Sequence, residues 1–191
     1  MRNSMQTITT SGALFLLAAI LSAAPATKSA SAFLSPGASP QNKKEYLTDA
    51  EADKIRDAGT TGPRIVLYAT FASDRIKKLQ YELAHIDPTD PKRNDRMNSL
   101  INGYTGCIDD AADLLDIGIE KQEDIREGVK TMQSRIKEIL PYLQELAEKG
   151  PERETYKDNL DDAIEASQDA EKDLEKAAQE LAPPPVRRKP S

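Results

Sequence analysis

Apolar side chains recur every three or four residues along most of this chain, from residue 65 to residue 181. This spacing places them on one face of an α-helix, which completes a turn in about 3.6 residues. No segment alternates apolar and polar residues as a half-buried strand does. The pattern therefore predicts an all-α fold whose helices pack through apolar stripes. The clearest stripe positions are Ile65, Ala69, Ala72, Ile76, Leu79, Met97, Ile101, Tyr104, Ile108, Leu115, Val129, Met132, Ile136, Leu143, Leu160, Ala163, Ala170 and Leu174.

Capping and helix-breaking residues divide this pattern into separate helices. Thr48 and Glu51 have the spacing of a capping box and start a short helix, which we expect to end near Gly59. Longer helices follow, and each is delimited by a segment that contains proline. These segments are residues 62–63, 87–91 and 149–151.

Residues 91–149 permit two interpretations. Their apolar stripes are in phase and no proline or strong cap separates them, so they could form one helix of about 88 Å. A break near Gly118 would instead leave four helices of similar length, as in a bundle. Additional apolar residues such as Leu100 and Leu140 make the stripe wider than a two-helix contact needs. We therefore expect an antiparallel bundle of three to four long amphipathic helices plus a short N-terminal helix, with an elongated helical rod as the alternative.

The first 32 residues have the features of a signal peptide. Arg2 precedes a continuous apolar run at residues 12–21, and Ala30-Ser31-Ala32 has the small residues that a signal peptidase requires. The run is shorter than the about 20 residues of a membrane-spanning helix. We therefore expect cleavage after Ala32, export to the periplasm or the extracellular space, and no stable membrane insertion afterwards. The expected organisation is a signal peptide (1–32), a flexible linker (33–46), a helical bundle domain (47–182) and a proline-rich basic disordered tail (183–191).

The charge of the chain limits its partners. The sequence has 26 basic and 32 acidic residues, which give a formal net charge of -6, and removal of residues 1–32 takes away two basic residues and no acidic one. A surface this acidic repels phosphate backbones, so we expect no nucleic-acid binding. The expected partner is an unidentified protein or a second copy of the chain.

Residue composition argues against catalytic, cofactor and metal sites. One Cys and one His exclude cysteine-rich metal centres and paired-histidine sites. Acidic residues cluster at helical spacing, but on the faces opposite to the apolar stripes, where water hydrates them. We expect no catalytic residue, no cofactor, no specific metal site, and only weak association of divalent cations. The clustered acids are Asp109, Asp110, Asp113, Asp116, Asp161, Asp162, Glu165 and Asp169.

His85 and Cys107 are too far apart for a nucleophile–base pair. In a hairpin that turns at residues 87–90, His85 lies beside the turn and Cys107 lies about 24 Å along the next helix. We expect His85 on the surface and Cys107 as a partly buried apolar side chain. In an oxidising compartment, Cys107 could instead form an intermolecular disulfide.

Leu67, Phe71 and Tyr81 face away from the apolar stripe of their helix. They could form an exposed apolar patch that contacts a partner. Alternatively, the short N-terminal helix folds back and covers Leu67 and Phe71, which is the arrangement that we favour. The covering residues would be Leu47, Ala52 and Ile55.

The expected function follows from these patterns. We expect an exported, non-enzymatic helical bundle that acts through surface contacts as a structural, scaffolding or chaperone-like module. The alternative is an acidic helical protein that sequesters cations or metal ions.

Overall fold

The computed structural model describes residues 45–87 and 89–181, and within these residues every regular element is helical. The all-α prediction is therefore confirmed. The predicted signal peptide (1–32), the tail (183–191) and nearly all of the linker (33–46) lie outside the described residues. The helices are α1 (Asp49–Asp57), α2 (Thr61–Ala84), α3 (Arg93–Glu120), α4 (Arg126–Lys149) and α5 (Lys157–Glu180), with a short 3-10 helix at Arg153–Thr155.

The four longer helices pack side by side in a ring. α2 lies against α3 and α4, and α5 lies against the same two helices from the opposite corner. α2 and α3 are antiparallel, because Arg96 near the start of α3 pairs with Glu82 near the end of α2 (Nη2–Oε2, 2.9 Å). α3 and α5 are parallel, because Asn159 near the start of α5 donates a hydrogen bond to Asn98 near the start of α3 at 2.6 Å. The connection from α3 to α4 therefore crosses one end of the bundle diagonally.

Residues 91–149 form two helices, so the long single helix of the rod alternative is not present. α3 ends at Glu120, α4 begins at Arg126, and both pack within the ring. The break was expected near Gly118 but lies a few residues later in the chain. Gly118 itself is inside α3 and is buried there.

A Schellman motif ends α3. Gln122 adopts a left-handed conformation with φ of 55°. Its N–H donates to the Ile119 carbonyl at 3.0 Å, and the Glu123 N–H donates to the Gly118 carbonyl at 2.9 Å. These two bonds satisfy carbonyl groups that a helix end otherwise leaves without intrahelical partners. The motif turns the chain toward the start of α4.

Gly118 is required by the packing of α3 against the residue that precedes α4. A Cβ atom at Gly118 would lie 2.4 Å from Ile125 Cγ2, which is closer than two non-bonded carbon atoms can approach. Ile125 has no exposed surface. Gly118 therefore makes room for Ile125 and does not act as a helix breaker.

The core consists of the apolar stripes that the periodicity predicts. Within it, Ser167 Oγ donates to the Ala163 carbonyl at 2.6 Å and lies 2.7 Å from the Tyr104 hydroxyl, so both of these buried hydroxyl groups have partners. None of the helices in the described part of the chain has both the length and the apolar character needed to cross a membrane. The large side chains with the least exposure are Tyr104, Tyr156, Ile65, Leu79, Met97, Ile101, Ile108, Leu115, Ile125, Met132, Ile136 and Leu143.

Candidate functional site

An open groove lies at the end of the bundle where α2 and α4 begin. Its volume is about 1000 Å³, and its walls are the last turn of α1, the first turns of α2 and the residues that lead into α4. Its lining includes the apolar side chains of Ala58, Pro63, Val66 and Leu67. We refer to it as the α1–α2–α4 groove. Its charged lining residues are Lys54, Asp57, Asp124, Arg126 and Glu127.

The turn between α3 and α4 holds the first turn of α2 in place. The Thr61 N–H donates to Glu123 Oε2 at 2.6 Å, and this bond lowers the pKa of Glu123. The N-cap residue Thr60 makes no side-chain capping bond, so Glu123 provides the cap from outside the helix. Two walls of the groove, formed by α2 and α4, are thereby fixed to each other.

An ion pair positions α1 as the third wall. Arg75 Nη1 and Nη2 donate to Glu51 Oε1 and Oε2 at 2.7 and 2.8 Å, which is the strong bidentate geometry of arginine and carboxylate. Arg75 Nη2 also donates to the Tyr46 carbonyl at 2.8 Å. The Arg75 guanidinium is the largest cause of the lowered pKa of Glu51, which falls from 4.5 to about 2, and Thr48 adds hydrogen bonds to the same carboxylate. The predicted capping box of Thr48 and Glu51 is confirmed.

Tyr46 ties the segment before α1 to α3. Its ring lies against Gly106, where a Cβ atom would be 2.7 Å from Tyr46 Cε1, and its hydroxyl donates to Asp110 Oδ2. Leu47 beside it is buried in the core. Tyr46 is the last residue of the predicted flexible linker 33–46. Its ring contact and hydrogen bond instead make it part of the packed structure.

Leu67, Phe71 and Tyr81 do not form one continuous patch. Leu67 is half-buried and lines the α1–α2–α4 groove. Phe71 is only 5% exposed, and the Arg75 guanidinium lies 5.9 Å from its ring centroid, so Phe71 does not reach a partner in this fold. Tyr81 is 62% exposed and lies about 21 Å from Leu67 along the helix.

Tyr81 belongs to a separate surface on the α2–α3 hairpin. Its ring stacks on His85, with centroids 4.1 Å apart and ring planes inclined by 23°. His85 is exposed, as the sequence predicts. A smaller groove of about 320 Å³ lies beside Tyr81, and its lining includes Leu100 and the paired residues Arg96 and Glu82. This surface is smaller than the α1–α2–α4 groove, and two of its three charged residues pair with each other.

Cys107 lies inside the bundle and has no exposed surface. Its sulfur contributes to the electrostatic environment of Arg75, whose pKa is raised mainly by the hydrogen bonds to Glu51. An intermolecular disulfide at Cys107 would require α3 to leave the bundle. In this fold, the thiol is out of reach of a second molecule and of His85.

Acidic side chains of α3 and α5 line another groove, with a volume of about 520 Å³. We call it the α3–α5 groove. Because α3 and α5 are parallel neighbours, the acidic cluster of α3 lies beside that of α5, although the two clusters are separate in the sequence. Burial, with a contribution from the Asp113 carboxylate, raises the pKa of Asp109. Across the described residues, no three potential ligand side chains lie close enough together to hold a metal ion. The carboxylates of this groove are Asp109, Asp113, Asp162, Glu165, Asp169 and Asp173.

No protein-family model, curated protein or solved structure matches this chain. The functional assignment therefore depends on the geometry of the grooves. Of the residues that build the α1–α2–α4 groove, sequence reasoning singled out Leu67 but missed Glu123 and Arg75. These two act on residues 62 and 24 positions away, and no local pattern signals such contacts.

Proposed function

We propose that this chain is an exported, non-enzymatic interaction protein that binds a short polypeptide segment in the α1–α2–α4 groove. The observation that carries the proposal is an open, largely apolar groove of about 1000 Å³ whose walls are tied together by hydrogen bonds and an ion pair. Export is supported by the apolar run at residues 12–21 and the small residues that follow it. Such a module would serve as a scaffold or a chaperone-like binder.

The lining of the groove favours an extended segment with apolar and basic side chains. Pro63, Val66 and Leu67 offer contact area to aliphatic or proline side chains. The lining contains three acids and two bases, and Arg126 Nη1 already lies 3.3 Å from Asp124 Oδ1. In addition, all 32 acidic residues of the chain lie between residues 45 and 181. A field of this sign attracts cationic segments and repels anionic ones.

A non-enzymatic role is supported by what the groove is made of. Its lining includes neither His85 nor Cys107, the residues best suited to general-base and nucleophilic catalysis at neutral pH. His85 lies on the α2–α3 hairpin, and Cys107 is buried. The groove is therefore better suited to contact than to bond breaking.

Peptide binding to the chain from residue 33 tests the proposal. The probe is a short fluorescent peptide of Pro, Val and Leu flanked by lysines. A comparison peptide has the same apolar residues but carries glutamates in the flanking positions. We expect the lysine peptide to bind more tightly. Leu67→Ser should weaken its binding about tenfold, because loss of one aliphatic contact costs roughly 1.5 kcal/mol. Polarisation titrations give both affinities.

Leu100→Ser is the matched control. Leu100 is also a half-buried leucine packed against the core, but it lines the groove beside Tyr81. Its substitution should leave peptide affinity unchanged while it lowers stability by a similar amount. Equal weakening by both substitutions, or no binding of either peptide to the chain, would refute the proposed function.

A second candidate function is loose association of divalent cations. The observation that favours it is the convergence of carboxylates from two helices on the α3–α5 groove, where the pKa of Asp109 is raised. Calorimetric titration with calcium should give weak binding that Asp109→Asn and Asp113→Asn together reduce. Tight binding of one calcium per chain would make this the principal function.

A further inference from the structure

We propose that residues 182–191 of this chain occupy the α1–α2–α4 groove, so that a partner segment must displace them in order to bind. The inference rests on the proposed function, because it assigns an occupant to the same groove. Three observations support it: the place where α5 ends, the length of the segment that follows, and the match between its side chains and the lining of the groove.

α5 ends close to the groove. The contact of Gln133 Nε2 with the Leu174 carbonyl (3.5 Å) sets the register of the antiparallel pair α4 and α5. Arg126 precedes Gln133 by as many residues as Leu181 follows Leu174, so Leu181 lies level with Arg126 at equal rise per residue. Arg126 lines the groove. The end of α5 therefore lies about one helix width, 8–10 Å, from the groove.

The segment is long enough to cross α4 and fill the groove. In the extended polyproline II form that consecutive prolines favour, residues 182–191 span about 31 Å at about 3.1 Å per residue. Crossing one helix takes about 10 Å. About two thirds of the segment can then lie along the walls formed by α1 and α2.

The side chains of the segment match the lining. The apolar run at residues 183–186 (Pro-Pro-Pro-Val) suits a surface of proline and aliphatic side chains, and an extended proline-rich segment loses little conformational entropy on binding. The basic run at residues 187–189 (Arg-Arg-Lys) suits a lining that includes Asp57, Asp124 and Glu127. The segment itself carries no acidic residue, so no like charge opposes its approach to the acidic bundle.

The α3–α5 groove is the competing destination for the same basic residues. Asp173, the lining residue nearest to the end of α5, lies about 12 Å from Leu181 along the helix. Its apolar lining consists of alanines, which offer prolines and Val186 less contact area than Val66 and Leu67 do. Charge alone would direct the segment to the α3–α5 groove, and charge with apolar contact directs it to the α1–α2–α4 groove.

Paramagnetic broadening decides between these destinations. A spin label on Ser191→Cys in the chain from residue 33 should broaden the methyl resonances of Val66 and Leu67 much more than those of Leu100. The wild-type chain treated with the same reagent controls for reaction at the buried Cys107. Selective broadening of Ala112 and Ala166, which line the α3–α5 groove, would overturn the proposal, as would the absence of selective broadening. So would broadening that appears only between labelled and unlabelled copies.

Charge reversal then tests displacement. We expect the triple substitution Arg187→Glu, Arg188→Glu, Lys189→Glu to tighten binding of the lysine-flanked peptide at least threefold. This gain is expected if the segment occupies the groove in most molecules of the unsubstituted chain and leaves it after charge reversal. The control reverses three exposed lysines at the other end of the bundle, Lys78, Lys92 and Lys157, and changes net charge equally. Equal tightening by both would overturn the inference. Failure of every variant to bind the peptide would refute the proposed function instead, while the broadening experiment would still report where the segment lies.

Discussion

Glu51→Gln is the substitution that tests most directly what holds α1 in place. The glutamine side chain would keep the acceptor that completes the capping box with Thr48, because glutamine serves in that position as glutamate does. It would remove the negative charge that faces the Arg75 guanidinium, whose side chain is only 8% exposed. The substitution therefore separates the ion pair from the cap.

The expected loss can be worked out from the lowered pKa. A carboxyl whose pKa falls from 4.5 to about 2 corresponds to an upper limit of roughly 3 kcal/mol at about 1.36 kcal/mol per pH unit. Because Glu51 keeps 17% of its side chain exposed and Thr48 contributes part of the effect, we expect about 2 kcal/mol at neutral pH.

The sign of the pH dependence follows from the direction of this change. The folded pKa of Glu51 is below its unfolded value, so its contribution is complete above about pH 5. The contribution falls as the pH drops below the unfolded pKa, and it vanishes below the folded pKa near 2. The difference between the wild type and Glu51→Gln should therefore shrink by about half at pH 3.

Urea unfolding followed by circular dichroism at about pH 7, pH 4 and pH 3 measures this difference. The control is Asp53→Asn, an exposed carboxylate of α1 that pairs with Arg56 at 2.7 Å. A surface pair of this kind contributes within about 0.5 kcal/mol at any pH. A loss for Glu51→Gln that does not change with pH, or that equals the loss for Asp53→Asn, would refute the role assigned to the ion pair.

Other predictions concern the core. Gly118→Ala places a Cβ atom 2.4 Å from Ile125 Cγ2 and should cost about 1–3 kcal/mol, seen in calorimetry as a lower Tm; an unchanged Tm would contradict the packing described. Tyr104→Phe removes the hydroxyl that lies 2.7 Å from Ser167 Oγ and should cost about 1 kcal/mol in urea unfolding, whereas a neutral substitution would show that the bond is not formed. Burial raises the pKa of Tyr104 and of Tyr142 from 10 to about 12, so in an ultraviolet titration part of the tyrosine absorbance change should appear only near pH 12; a single transition of all six tyrosines near pH 10 would contradict this burial.

Local patterns were enough to predict the helical class and the core. The stripe positions Met97, Ile101 and Ile108 are all buried, because a period of 3.6 residues leaves one face of each helix apolar. The capping box at Thr48 and Glu51 could also be predicted from the sequence, because its hydrogen bonds join residues only three positions apart.

The width of the apolar stripe favoured a break between α3 and α4, but its exact position could not be predicted from the sequence. Left-handed residues at helix ends are usually glycine, and here Gln122 takes that conformation. The nearby glycine, Gly118, serves packing against Ile125 instead. The exact end of α3 therefore depends on a tertiary contact rather than on a local signal.

The groove could be predicted only in part, for the same reason. Leu67 stood out because it lies off the apolar stripe. The walls around it depend on Arg75 and Glu123, whose partners are distant in the sequence. Charge pattern predicted that the acidic residues would be hydrated, but it could not indicate that α3 and α5 are parallel neighbours, which is what joins Asp109 to Asp169 in one groove.

The hydrogen bond from Thr61 to Glu123 spans 62 residues, and it has a consequence for how the chain matures. Protein synthesis proceeds from the amino end, so α2 leaves the ribosome well before the residue that caps it. Until Glu123 has been made, the first turn of α2 has no side-chain partner for this amide. The end of the bundle that forms the groove can thus be completed only after both α2 and α3 have been made in full.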